Sequence, residues 1–198
     1  MFKLRSLVLT VAVIGAATLL SACSSSPGMH MGDGSTMGSS ASGSSSTHNA
    51  TDIAFATDMI PHHKQAVQMA DTILSKSGID PRVTALATQI KAQQAPQITE
   101  MSGWLKNWGA PQPADMSGMS GMSGLMSPAQ MSALDNATGL AASKLFLTEM
   151  TQHHDGAISM AATEMKSGKS PEAMALAKTI SSAQSEQIKQ MASLLAAL

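Results

Sequence analysis

The chain repeats itself, and that repeat limits what it can fold into. Residues 55–74 (FATDMIPHHKQAVQMADTIL) align with residues 146–165 (FLTEMTQHHDGAISMAATEM) at nine identities in 20 positions. Residues 85–105 align with residues 175–195 at nine identities in 21. The offset is 91 in the first block and 90 in the second, so one residue is lost in the intervening turn. Each copy reads as a helix, a short turn and a second helix. The period is too long and the copies too few for a solenoid.

Apolar residues recur at alternating steps of three and four. One stripe runs Phe55, Met59, His62, Ala66, Met69, Ile73, and another runs Ala87, Ile90, Gln94, Gln97, Met101, Trp104, Trp108. Such stripes are the buried faces of bundle helices. Asp80-Pro81 and Ser170-Pro171 each set an N-cap before a first-turn proline, and Ser127 to Gln130 has capping-box spacing. Gly78 and Gly168 stand where C-terminal caps belong. The expected helices cover about 51–76, 80–107, 139–167 and 170–197, with a short one at 128–137. Pro61 and Pro96 fall inside them and should kink them. The fold class is all-α, a four-helix bundle built from two duplicated helical hairpins.

The ends and the middle differ from these segments. Lys3 and Arg5 precede an apolar run at 7–20, which is too short to span a bilayer comfortably. Residues 1–22 therefore read as a lipoprotein signal peptide, and Cys23, the only cysteine, as the lipidated mature N-terminus. Residues 23–50 are a Ser/Gly-rich tether and 51–198 the bundle domain, interrupted by a Gly/Ser/Met-rich linker at 109–126. The expected location is extracytoplasmic, anchored by lipid to a membrane of the cell envelope. The mature chain carries ten basic and thirteen acidic residues. With no basic stripe, nucleic acid is not an expected partner.

Chemistry concentrates at two histidine pairs. His62 and His63 are flanked by Met59 and Met69, and His153 and His154 by Met150 and Met160. Neighbours on a helix diverge by about 100°, so one histidine of each pair faces the core and the other a neighbouring helix or the rim. Counting outward from the first turn places Gln94 across from His62, and likewise Gln184 across from His153. Gln97 and Gln187 lie one turn further on. A glutamine there can bind one ring nitrogen and leave the other as a ligand. Buried histidines are also often hydrogen-bonded core residues, but here the whole arrangement occurs twice.

Ligand softness selects the metal. Imidazole with thioether, and without thiolate, suits Cu(I) and by extension Ag(I). Zinc prefers Cys, His and carboxylate sets. A di-iron centre needs inward Glu with Glu-x-x-His spacing, whereas Glu149 precedes His153 by four and Asp58 occupies the matching position in the first copy. Further methionines sit in segments that cannot form a core: Met116, Met119, Met122 and Met126 in the linker, and Met29, His30, Met31, Met37 and His48 in the tether. They can capture a soft cation, scavenge oxidants as reversible sulfoxides, or reflect low-complexity drift.

The doubled pattern F-x-x-x-M-I-P-H-H-x-x-A-V-x-M-A and F-L-x-x-M-x-x-H-H-x-G-A-I-S-M-A resembles an exported bacterial domain-of-unknown-function family with a ferritin-like helical fold. Some of its members, the CopM-like proteins, bind copper. The resemblance covers about residues 50–198. It implies copper or silver binding, a role in metal tolerance, and ligands among Met59, His62, His63, Met69, Met150, His153, His154 and Met160. Gln97 and Gln187 depart from the family pattern, where a glutamate before the isoleucine is common, and so withhold a carboxylate there.

Three functions remain open on this reading. The first is a lipid-anchored copper-buffering or copper-relay protein with a transfer partner. The second is a ferritin-like metal-dependent oxidase. The third is a structural or partner-binding envelope lipoprotein. No nucleophile–base pair or acid–base set is visible, so catalysis is not expected.

Overall fold

The computed structural model describes residues 47–113 and 123–198. The signal segment, Cys23, Met29, His30, Met31 and Met37, together with Met116, Met119 and Met122, lie outside them. The described residues form five helices and no strand: α1 (Ala50–Leu74), α2 (Pro81–Asn107), α3 (Pro128–Asn136), α4 (Gly139–Ser167) and α5 (Pro171–Ala197). The sequence-expected boundaries agree to within a few residues, because the caps that define them are present. Asp80, Ser127 and Ser170 accept bonds from backbone N–H groups of Arg82, Gln130 and Ala173. α1 and α2 run on through Pro61 and Pro96. No described helix is long and apolar enough to cross a membrane.

α1 packs on α2 and α4 on α5 as two hairpins, which meet chiefly through α1 and α4. These two central helices run antiparallel, since Asn49 before α1 donates to the Ser167 carbonyl at the end of α4, at 2.9 Å. The short α3 packs against α1 and α4, and Asp135 accepts there from Thr72.

Two glycine expectations change. Gly78 lies beyond the α1 C-cap Ser75, in the turn, where its φ of 72° suits glycine. Gly168 is the α4 C-cap, but its backbone is extended. Its lack of a side chain serves packing instead, because a Cβ there would run into the Glu164 carboxyl.

That carboxyl belongs to a contact the sequence does not announce. Asp52 completes a capping box with Asn49 and also accepts from the backbone N–H of Lys169 (3.0 Å) and Ser170 (2.8 Å). It thereby ties the start of α1 to the α4–α5 turn. Burial alone would raise the Asp52 pKa, but backbone hydrogen bonds from Asn49, Ser170 and Lys169, with the Glu164 side chain alongside, hold it below the usual value. Glu164 is pushed up to about 8 by burial first and then by Asp52. It is therefore protonated near neutrality, and the unfolded chain releases that proton at ordinary carboxyl pH. Between about pH 4.5 and 8 the folded state holds the extra proton, so the contribution of Glu164 to stability falls as pH rises through this window.

The urea-midpoint advantage of the wild type over the Glu164→Gln variant should thus shrink between about pH 5 and 9, a comparison in which every other titrating group cancels. Asp52→Ala strands several buried amides and should cost about 3 kcal/mol or more in the same assay.

Candidate metal site

The bundle core is two apolar clusters rather than one. The first holds Ala66, Met69, Ile73, Leu86, Ile90, Phe146, Met150 and Met191, among others. The second holds Phe55, Met59, Met101, Ala157, Leu176 and Ile180 with their neighbours. Along every long helix the break between them falls at the same height: His62–His63 on α1, Gln94 and Gln97 on α2, His153–His154 on α4, and Gln184 and Gln187 on α5. A polar layer of four histidines and four glutamines crosses the middle of the bundle.

All four imidazoles are fully buried. His62 and His153 face each other across the α1–α4 interface, with ring centroids 3.7 Å apart. His63 bonds Gln97 and His154 bonds Gln187, each from Nε2 to the amide Oε1 at 2.8 Å. An amide oxygen can only accept, so both Nε2 atoms carry the proton and both Nδ1 atoms keep a lone pair. Gln187 is itself held by its Nε2, which donates to Gln93 Oε1 at 2.9 Å.

This corrects the expected pairing. Gln94 and Gln184 do not bond His62 and His153. They are buried in the layer, with both Gln94 amide atoms and Gln184 Oε1 lacking a hydrogen bond. The glutamine–histidine match exists one turn later and on the second histidine of each pair. His62 and His153 have each other instead.

Six ring nitrogens in the layer have no hydrogen bond of good geometry: both of His62, both of His153, and Nδ1 of His63 and His154. Burial lowers the pKa of every one of these rings. For His62, to about 3, the charges of His63 and His154 add to burial, and the nearby Ser123 backbone opposes it only partly. His63 and His154 fall to about 4, each against an opposing glutamine bond, and His153 falls well below its usual value. Four neutral imidazoles with open lone pairs are the form in which histidine ligates a metal.

The methionines divide. Met59 and Met150 sit three residues before His62 and His153, and helical side chains lean toward the N-terminus, so each histidine leans over its methionine. Met69 and Met160 follow by seven residues, roughly 10 Å along the axis. Met69 packs in the first cluster. Met160 is half-buried against the second, in a pocket with Asp58 and Glu164. Met126 is no exposed linker thioether but a buried member of the first cluster. His48 stacks on Trp108 with centroids 4.8 Å apart, and Trp108 on Trp104 at 5.9 Å.

Among the described residues, no three His, Cys, Asp or Glu side chains form a ready-made metal cage. The donor set among the described residues is imidazole with adjacent thioether, and the buried Glu149 carboxyl one turn before His153 is pushed toward its neutral form, a set that fits a soft monovalent ion and fits zinc or di-iron poorly. Sequence reasoning missed Gln65, Gln93, Ser123 and Gly156. Gln93 had a visible signal in the Gln93–Gln94 doublet, whose counterpart in the second copy has a single glutamine.

Neutral burial has a measurable consequence. The unfolded chain takes up protons on these histidines below about pH 6.5, while the folded state resists until roughly pH 4 or lower. Stability should therefore fall as pH drops through that range. Replacing His62 and His153 together by leucine removes orphaned polar atoms, and should raise the unfolding free energy of the metal-free protein by about 1–3 kcal/mol and blunt the acid transition.

The chain's relatives agree with this architecture. A family model described as domain of unknown function (DUF305) matches residues 52–195. No curated protein matches. A DUF305 protein from Streptomyces coelicolor, described as secreted, is 35% identical with a TM-score of 0.68, over 74% of this chain and 91% of that one. A DUF305 fragment from Deinococcus radiodurans is 30% identical with a TM-score of 0.69, over 76% and 98%. CopM in its Cu(I)-bound form is 30% identical with a TM-score of 0.63, over 74% and 96%. CopM structures in Cu(II)-bound and Ag-bound forms are similar to the chain as well. With its duplicated all-α bundle and most of its length matched, the chain belongs to the DUF305 family.

Proposed function

We propose that the chain is an extracytoplasmic carrier or buffer of Cu(I), able to take Ag(I), that holds the ion at the histidine layer. The observation that carries this reading is the set of four buried, neutral imidazoles, each with a ring-nitrogen lone pair outside any hydrogen bond of good geometry. A protein gains nothing in stability by burying them without partners, so a ligand that uses their lone pairs accounts for their presence. Met59 and Met150 supply thioethers one turn away on either side. The His62 and His153 rings are in contact at 3.7 Å, so seating an ion between their nitrogens requires the two rings to turn or move apart. The binding of Cu(I), Cu(II) and Ag by CopM, a structural relative, supports the choice of metal.

The ion is cargo in this reading, not a catalyst. Of the buried carboxyls, Glu164 pairs with Asp52 at the end of the bundle, and Glu149, one turn before His153, stands alone with its pKa raised by burial, so no pair of inward carboxylates flanks the histidines among the described residues. Lipidation at Cys23 would hold the protein at a membrane surface, and Met29, His30, Met31, Met116, Met119 and Met122 would collect ions for the bundle or pass them to a partner protein.

Competition between the mature protein and a Cu(I) chelator should show binding tighter than micromolar. His62→Ala combined with His153→Ala should abolish it, whereas serine at positions 116, 119 and 122 should leave the bundle site intact. Saturating Ag(I) should raise the melting temperature of the wild type, by about 2.7 kcal/mol of stability at a hundredfold excess over Kd, and leave the double variant unmoved. Binding that survives the double histidine variant would place the site elsewhere.

A further inference from the structure

The two copies of the repeat differ in a telling way at one aligned position, Gln65 in α1 and Gly156 in α4, 91 residues apart. Both touch the same short segment. Gln65 is buried and grips the Met126 backbone twice: its Nε2 donates to the Met126 carbonyl (2.9 Å), and its Oε1 accepts from the Met126 N–H (2.7 Å). At Gly156 the segment lies directly on α4, and a Cβ there would overlap the Ser123 carbonyl. Gly124, at φ 83°, faces the same spot, and a Cβ on it would come within 3.0 Å of the Gly156 Cα and the Gln152 and His153 carbonyls.

Glycine inside a helix is unfavourable relative to alanine, so Gly156 needs a reason. The reason on view is backbone against backbone, which no flexible side chain could relieve. The segment thus crosses the pseudo-symmetric pair of central helices at equivalent points, one turn past the histidines on each. Its Ser123 backbone comes beside the His62 ring, and Gly124 comes against the His153 carbonyl.

We propose that residues 123–126 are a fixed cover over the histidine layer, seated by Gln65 on α1 and by the bare backbone of Gly156 on α4, and that this seating sets how fast a soft monovalent ion enters and leaves. The kinetic half rests on the ion-binding reading above. The cover itself does not, and it can be tested without metal.

Histidine acylation by diethyl pyrocarbonate, read by peptide mass spectrometry on the metal-free protein, reports access to His62 and His153. Gly156→Ala and Gln65→Ala should each speed their acylation about tenfold or more, with the helical signal retained, as opening of a locally seated segment predicts. Gly103→Ala is the control, since a Cβ there meets nothing within 4 Å, and it should leave the rates unchanged. With Ag(I) loaded, release to a chelator should accelerate in the same two variants by a similar factor. Unchanged acylation in both variants overturns the cover. Faster acylation with unchanged Ag(I) release overturns its control of exchange. Faster acylation in a protein that binds no Ag(I) establishes the cover and sinks the ion-binding reading instead.

Discussion

The structure depends on a polar layer that a helical bundle would ordinarily avoid. Four imidazoles and their glutamines lie in the middle of the core, and the apolar side chains divide into a cluster above and a cluster below. Burying imidazole is costly unless its nitrogens are paired. The His63–Gln97 and His154–Gln187 bonds meet only part of that cost. The two flanking clusters carry the stability that keeps the layer dry, and dryness is what holds the histidines neutral. Duplication explains how one helical pattern supplies the layer twice: antiparallel packing of α1 on α4 brings the two copies of the motif face to face.

Much of this was legible in the residues. The repeat, the cap residues and the three-four spacing fixed the helices, because each of those signals acts within a few residues of itself. The His–Gln association was legible too, but its register was not. Counting outward from the turn assumes that side chains project straight across, whereas they lean toward each helix N-terminus. His62 and His153 meet because α1 packs on α4, a contact between hairpins that counting within one hairpin does not reach.

The unread features share a physical character. Asp52 meets Lys169 and Ser170 more than a hundred residues away, and Glu164 joins it without any local pattern. Met126 sits in a stretch whose composition says linker, yet Gln65 fixes its backbone and the apolar cluster takes its side chain. Composition reports what a segment can do alone, and here tertiary contacts decide. Gly156 and Gln65 were visible as a mismatch within an otherwise similar pair of helices, but only the segment lying across both gives the mismatch meaning.

The functional account stands on the lone pairs of the buried imidazoles, and nitrogen NMR observes those atoms directly. Long-range proton–nitrogen spectra of protein labelled at histidine nitrogen, recorded during an Ag(I) titration, should first show His63 and His154 as Nε2-protonated tautomers. On loading, ring nitrogens of His62 and His153 should then shift and couple to silver. Spectra in which the four buried histidines stay unchanged while silver binds, or in which only tether histidines respond, would contradict the account.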